Sequence, residues 1–284
     1  MPIVFVHAQG PSQTVYGTPY DGDKAEYTRH KIRFKSSRTF LHTLLPTKSF
    51  SFVSPGTVAE ASFENTTLNK MDWLREGGYN FLDLWIHGIQ YTKKNGSKLF
   101  GSFLVVFFES LSDPITTGRE ELGMPKMFYD IEIFRRNKSS RIKTGWRGTT
   151  FATLEWEDVK EVEIQPEAND DAVDMDSIPE FARSPQDDVL FIYRYVPAVG
   201  KRGVADAEYP VFVNKHKTAT PQIVRRRWRA SKAKVSLEGL DWDALPTLHH
   251  IAAGLAEVPI LEMIKAEIEE GTGVEDLRHA GRIE

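Results

Sequence analysis

The chain has 284 residues, 40% of them hydrophobic and 27% charged, with a formal net charge of −4, which excludes collagen-like, wholly disordered and disulfide-scaffold classes. With no cysteine in the sequence, disulfides, thiolate metal sites and a thiol nucleophile are excluded as well, and a reducing, cytoplasmic setting is expected. The longest nearly apolar run, Phe103 to Phe108, is far short of the ~20 residues of a membrane helix, and Met1-Pro-Ile-Val-Phe-Val has neither the basic start nor the long apolar core of a secretory signal.

Residues 1–24, rich in Gly, Pro, Ser and Thr from residue 8, read as a flexible N-terminal arm, followed by one domain over 25–284. From Lys31 to Pro46 the pattern predicts a strand running into a short helix that the proline stops. Strand-like runs rich in β-branched and aromatic residues follow: Tyr79 to Tyr91, Leu99 to Phe108, Met127 to Phe134, Phe151 to Ile164, Val189 to Val196 and Tyr209 to Val213. Asn95-Gly96 between the first two is a hairpin signal. Residues 165–187, acidic and with three prolines, read as an inserted loop. Helical periodicity is confined to the C-terminal part. Asp241 caps one helix continuing through Ile251 to Leu255, and Pro259 starts a second, with Ile260, Leu261, Ile264 and Ile268 on one face and Gly271 at its end. The fold class is α+β, mainly antiparallel β, with C-terminal helices.

Charge is unevenly distributed along this order. Glu155 to Asp188 holds 13 acidic and 2 basic residues, and nine of the positions from Lys215 to Lys234 are Lys, Arg or His. Arg225-Arg-Arg-Trp-Arg229 has the composition of a nucleic-acid contact, but a solvated strand face or an inter-subunit contact is far commoner for such a run. No nucleic-acid or membrane partner is expected, and the acidic loop and basic run are expected to meet across a subunit contact.

Phosphate-loop, dinucleotide-binding, zinc-protease and serine-hydrolase signatures are absent. His249-His250 is a poor metal site, because adjacent helical residues point apart. The stretch from Glu109 to Lys126 is the informative one. It follows the most apolar run and leads through Gly118, Gly123 and Pro125 to a lysine set among Met124, Pro125, Met127 and Phe128. Burial there disfavours the ammonium form. Moving a lysine from ~10.4 to about 7 takes roughly 4–5 kcal/mol, and the neutral amine can then attack a ketone to form a Schiff base. Taken alone, a lysine after a proline in a loop is usually solvated, and the glycines and prolines are simply turns.

Gly118-Arg119-Glu120, a short spacer and Pro125-Lys126 resemble the signature of the acetoacetate decarboxylase superfamily, with the same spacing from glycine to lysine. Arg38-Thr-Phe-Leu-His-Thr-Leu-Leu-Pro46, the strand Tyr79 to Tyr91 with its hairpin, and Leu240 to Ile260 extend the resemblance over most of the chain from residue 25, most closely to the fungal branch, commonly associated with polyketide-type metabolism. The resemblance implies a cone-like β-barrel with surrounding antiparallel strands, a homo-oligomer, and no cofactor or metal. It implies Lys126 as the nucleophile of a lyase that decarboxylates a β-keto acid, acetoacetate-like or polyketide-derived, with Gly118, Arg119, Glu120 and Met124 shaping the lysine's surroundings. The family's pocket acid has no clean match: Lys93 stands where a glutamate is expected, leaving Asp83 and Glu109 as candidates. Arg29 and Arg33 are candidates for binding the substrate carboxylate, and Tyr91 for lining the pocket. Met127 replaces a second lysine found in the bacterial enzymes, so any fall in the Lys126 pKa must come mainly from burial. Two alternatives stay open: a lysine enzyme of the same superfamily catalysing aldol, dehydration or cyclisation steps, and a non-catalytic barrel binding an apolar ketone.

Overall fold

Alternating β-branched and aromatic positions build most of the molecule into strands. The structure is a computed structural model describing residues 10, 20, 22, 24–164, 188–214, 222–274 and 280–284. The first half runs β1 (Glu26–Ser37), α1 (Arg38–Thr43), β2 (Phe50–Phe52), β3 (Val58–Met71), β4 (Gly77–Thr92), β5 (Lys98–Glu109), α2 (Ser112–Thr117), a single π-helical turn (Gly118–Leu122) and β6 (Lys126–Phe128). After it come β7 (Asp130–Arg136), β8 (Ser139–Trp146), β9 (Thr149–Glu157), β10 (Lys160–Val162), β11 (Asp188–Pro197), β12 (Ala205–Asn214), β13 (Ile223–Arg229), β14 (Lys232–Leu237), α3 (His249–Ala256), β15 (Glu262–Thr272) and β16 (Ala280–Arg282). The arm over 1–24 and the acidic loop over 165–187 fall almost wholly outside the described residues.

Twelve strands form one sheet in the order β10-β13-β15-β1-β3-β4-β5-β11-β12-β16, with β2 on β4 and β6 on β5; β14-β9-β8-β7 form a second. Pairing is antiparallel except where β5 meets β6 and β11. The mainly antiparallel α+β class is as expected, but the closed barrel is not. Among the described residues the large sheet is an open path that ends on the three-residue strands β10 and β16.

The main core lies where the small sheet and α3 cover one face of the large sheet. Phe34, Phe63, Leu84, Phe108 and Phe191 from the large sheet meet Ile142, Phe151, Leu154 and Trp156 from the small one. Trp156 is fully buried, and its Nε1 donates to the Lys31 carbonyl at 3.3 Å, tying the two sheets together. His30 faces the same layer beside Trp156, and burial, with Arg135 nearby, lowers its pKa to about 3, so the ring is neutral. Trp156→Ala is expected to cost about 3–5 kcal/mol, as for other buried large aromatics, read from the urea unfolding midpoint.

Three expectations need correction. The run Met127 to Phe134 is two strands. Tyr129, buried and hydrogen-bonded through its N–H to the Glu109 carbonyl at 3.0 Å, marks where the chain leaves the large sheet for the small one. The run Phe151 to Ile164 likewise breaks at Asp158, which takes a positive φ of 53°. The third correction is larger: the helix placed after Pro259 is the strand β15. Its glutamates suit a helix by propensity, but here they are cross-strand ion partners. Glu267 and Glu269 pair with Arg229 and Arg227 of β13, and Glu270 with Arg135 and Arg226. Two flanking strands supply ladders, β1 along Glu262 to Thr272 and β13 along Glu267 to Thr272, and tertiary pairing overrides local propensity.

These ion pairs also account for the basic run. Arg226 binds Glu161 of β10 through two hydrogen bonds of 2.9 and 3.0 Å, and Arg135 and Arg226 lie over the Trp228 ring at 4.6 and 4.5 Å. Arg226, Arg227 and Arg229 of the run are thus neutralised within the chain. Among the described residues no group of acidic and histidine side chains could hold a metal, and no helix is long and apolar enough to cross a membrane.

Candidate active site

The other face of the large sheet carries a cavity. On β4 the even positions Leu82, Leu84 and Ile86 enter the main core, so the odd positions Tyr79, Phe81, Asp83, Trp85 and His87 point the other way and line that cavity. Strand register sets a row of side chains across its floor. Lys31, Glu64, Asp83, Phe107 and Lys126 are successive partners on β1, β3, β4, β5 and β6. A three-residue strand is thus enough to aim Lys126 into the pocket.

The segment before β6 is shaped around the lysine. A Cβ on Gly118 would stand 2.6 Å from Lys126 Cε and 2.9 Å from its Nζ, so only glycine leaves room for the side chain. Arg119 Nη1 donates to the Lys126 carbonyl at 2.9 Å, and the Glu120 carbonyl accepts from Arg194 at 2.7 Å. Gly123, at φ 74°, turns the chain back toward β6. The Gly-Arg-Glu triplet is therefore a mount for the lysine, not a set of groups in the cavity. Gly118→Ala is expected to lower covalent trapping of a ketone at Lys126 at least tenfold with the circular-dichroism spectrum unchanged; unchanged trapping would show that the crowding is relieved elsewhere.

Lys126 is 7% exposed. Its ammonium donates to Glu109 Oε1 and to the Pro114 carbonyl, each at 3.1 Å, and lies 4.7 Å from the Phe107 ring centre. Burial lowers its pKa, while the Glu109 and Asp83 carboxylates oppose that fall. Glu109 is fully buried, and burial lifts its pKa to about 7 against the counter-pull of Lys126. Its Oε2 has no hydrogen-bond partner among the described residues. Desolvation dominates for both, so each is driven toward its neutral form. Burial thus favours an uncharged amine beside a protonated carboxyl, a pair that can form an imine and protonate it.

The other expected site residues divide. Asp83, Arg29 and Met124 line the cavity with Lys126. Glu109 touches Nζ from behind rather than lining the cavity. Arg33, four residues along β1 from Arg29, instead binds Glu60 at 2.7 Å. Tyr91 is also misplaced by the sequence reading. A bulge at Gly88, with φ 68°, shifts the alternation of β4, so Ile89 and Tyr91 turn to the main core, where Tyr91 packs on Phe50. His249 and His250 sit on α3, away from the cavity, with His249 near the Pro246 carbonyl.

Several lining residues were not anticipated: Glu64, Trp85, His87, Ser102 and Gln222. Alternation from Asp83 points to Trp85 and His87. Glu64 needs β3, whose polar Glu-Asn-Thr-Thr centre does not read as a strand. Glu64 is held by Lys31 at 3.2 Å and Arg29 at 4.0 Å, and Arg29 also donates to Gln222 at 2.8 Å.

Comparison with known proteins identifies the family. The acetoacetate decarboxylase family profile matches residues 14–272. Solved structures similar to this chain include acetoacetate decarboxylase from Legionella pneumophila, at 15% identity over 90% of this chain and 88% of that one, with a TM-score of 0.59. An acetoacetate decarboxylase-like enzyme from Sphingomonas wittichii is 16% identical over 98% and 99%, at 0.55. The enduracididine biosynthesis enzyme MppR complexed with pyruvate is 12% identical over 95% and 94%, at 0.56. A search of curated proteins finds no match. At such identities the structures establish the fold alone, but the profile covers most of the sequence: the chain belongs to the acetoacetate decarboxylase family.

Proposed function

We propose that the protein is a Schiff-base-forming lyase that decarboxylates a β-keto acid through Lys126. The observation that carries this reading is a buried lysine held at 3.1 Å by a carboxyl whose own pKa is raised to about 7. The neutral amine attacks the ketone carbon and water leaves with both amine protons, giving the imine. Glu109 gives its proton to the imine nitrogen and becomes the counter-ion of the iminium. The bond to the carboxylate carbon breaks, its electron pair moves to the nitrogen, and carbon dioxide departs. The enamine carbon then takes a proton from the cavity side, where Asp83 stands, and water releases the ketone and restores the lysine. Arg29 is the cavity's candidate for the substrate carboxylate.

A second reading keeps Lys126 and drops the decarboxylation. Arg29 is already engaged by Glu64 and Gln222, and Glu64 and Asp83 are cross-strand neighbours on the cavity floor. A cavity whose arginine is already engaged favours a substrate carboxylate less and suits aldol or dehydration steps from the same iminium. One related structure holds the condensation product of pyruvate and imidazole 4-carboxaldehyde bound to MppR. Borohydride trapping with 3-oxo acids, read by mass spectrometry of the peptide containing Lys126, tests the imine, and carbon dioxide release separates the two readings. Trapping without carbon dioxide selects the second. Absence of any adduct across a ketone series leaves only a non-catalytic binder.

The fungal branch, with its polyketide-derived substrates, and a cytoplasmic homo-oligomer belong to the same proposal. Deleting residues 165–187 is expected to reduce oligomer size in light scattering; an unchanged size removes the acidic loop from the subunit contact.

A further inference from the structure

The cavity has a second polar end that the lysine chemistry does not use. Ser62 Oγ donates to Glu64 Oε1 at 2.7 Å and lies 2.9 Å from His87 Nε2, while His87 Nδ1 lies 2.9 Å from Ser102 Oγ. Ser62 has one hydroxyl hydrogen and gives it to Glu64, so toward His87 it accepts, and Nε2 carries the ring hydrogen. With its hydrogen on Nε2, the ring offers Nδ1 as the acceptor of the Ser102 hydroxyl hydrogen. The chain of bonds runs in one sense from Ser102 to the Glu64 carboxylate, and it leaves the Ser102 oxygen with lone pairs to offer. His87 and Ser102 both line the cavity.

All four residues are buried, at 9% exposure or less, and come from three neighbouring strands. Apolar side chains would cover this face at no desolvation cost, so an ordered polar line opening into a cavity is a device for holding something. Its position says which part of a ligand it holds. On β4 His87 is four residues beyond Asp83, about 13 Å at ~3.3 Å per residue. The Lys126 amine points the other way, toward Glu109 and α2. Trp85 and Leu190 form an apolar stretch between the two ends.

We propose that Ser102, held by His87, is a distal subsite that accepts a hydrogen bond from a hydroxyl on the substrate's tail, so that the preferred substrate is an unbranched oxo compound oxygenated at both ends. The assignment rests on the Schiff-base reading for the position of the reacting carbonyl. The cavity volume of about 120 Å³ sets the chain length: a 150 Å³ cavity takes benzene, so this one takes about five chain atoms between carbonyl and hydroxyl.

The test compares 7-hydroxyheptan-2-one with heptan-2-one in borohydride trapping at Lys126. The hydroxy ketone is expected to reach half-maximal trapping at about a tenfold lower concentration or less, in keeping with one buried hydrogen bond, and Ser102→Ala to abolish that preference. Equal concentrations for the two ketones, or a preference that survives in Ser102→Ala, would overturn the subsite. The ketone comparison on the unmodified protein is decisive even if Ser102→Ala does not fold. Calorimetric titration of both ketones into Lys126→Ala protein separates this outcome from failure of the Schiff base. A preference retained there with no trapping in the unmodified protein supports the subsite and sinks the imine; trapping with no preference does the reverse.

Discussion

Lys126→Ala is expected to lower kcat/KM for a 3-oxo acid by at least about 10⁴-fold and to remove the borohydride adduct altogether. The size follows from the chemistry. Without the amine no iminium forms, and the electron pair released by the departing carbon dioxide has no sink on the protein. The fold is expected to survive. Lys126 makes its side-chain bonds to Glu109 and the Pro114 carbonyl, whereas β6 is held by its own backbone ladder to β5. Removing one partner of a buried pair normally leaves an unpaired charge, but with its pKa already near 7 and its cation gone, Glu109 stays protonated and neutral. Stable Lys126→Ala protein with undiminished turnover would move the chemistry to another residue.

Glu109→Gln has the second-largest expected effect, and its sign separates two roles. If Glu109 supplies the proton that makes the iminium, the variant loses about 10²–10³-fold in kcat. The alkaline limb of the pH profile disappears too, because that limb reports the loss of the proton shared by the pair. If Glu109 were only a counter-ion, removing it would take away the principal force holding the Lys126 pKa up, and the rate near neutral pH would rise. A faster variant, or one whose pH profile is unchanged, refutes the proton-donor role. Stability gives an independent check. The folded-state pKa of Glu109 is raised from 4.5 to about 7, so its contribution is fully present below 4.5 and is lost as pH rises through 7. Across that window the melting temperature of the unmodified protein should fall more than that of Glu109→Gln.

The parts legible in the sequence were those fixed locally. The Gly118-to-Lys126 spacing announced the buried lysine because a mount built within nine residues of chain keeps its spacing. Asn95-Gly96 announced its hairpin, and Gly96 indeed turns at φ 85° with the Lys93 N–H bonded to the Ser97 carbonyl. Hidden were features that depend on distant chain. Glu64 faces the lysine's strand only through the registers of β1, β3, β4 and β5. Tyr91 left the pocket through one bulge at Gly88, a shift of alternation that no composition signal announces. The Glu-rich β15 read as a helix because its arginine partners lie about forty residues away on β13 and, for Glu270, also on β7.

The place of β15 in the sheet has a consequence for how the chain matures. It lies between β13 and β1, and β1 begins at Glu26 while β15 ends at Thr272. During synthesis, twelve residues of β1 wait with one edge unsatisfied until almost the whole domain has left the ribosome. Contacts so far apart make for slow folding, and a long bare edge invites pairing with another nascent chain. The alternating Arg29, Lys31, Arg33 and Lys35 on that edge are suited to keep such chains apart until the glutamates of β15 arrive.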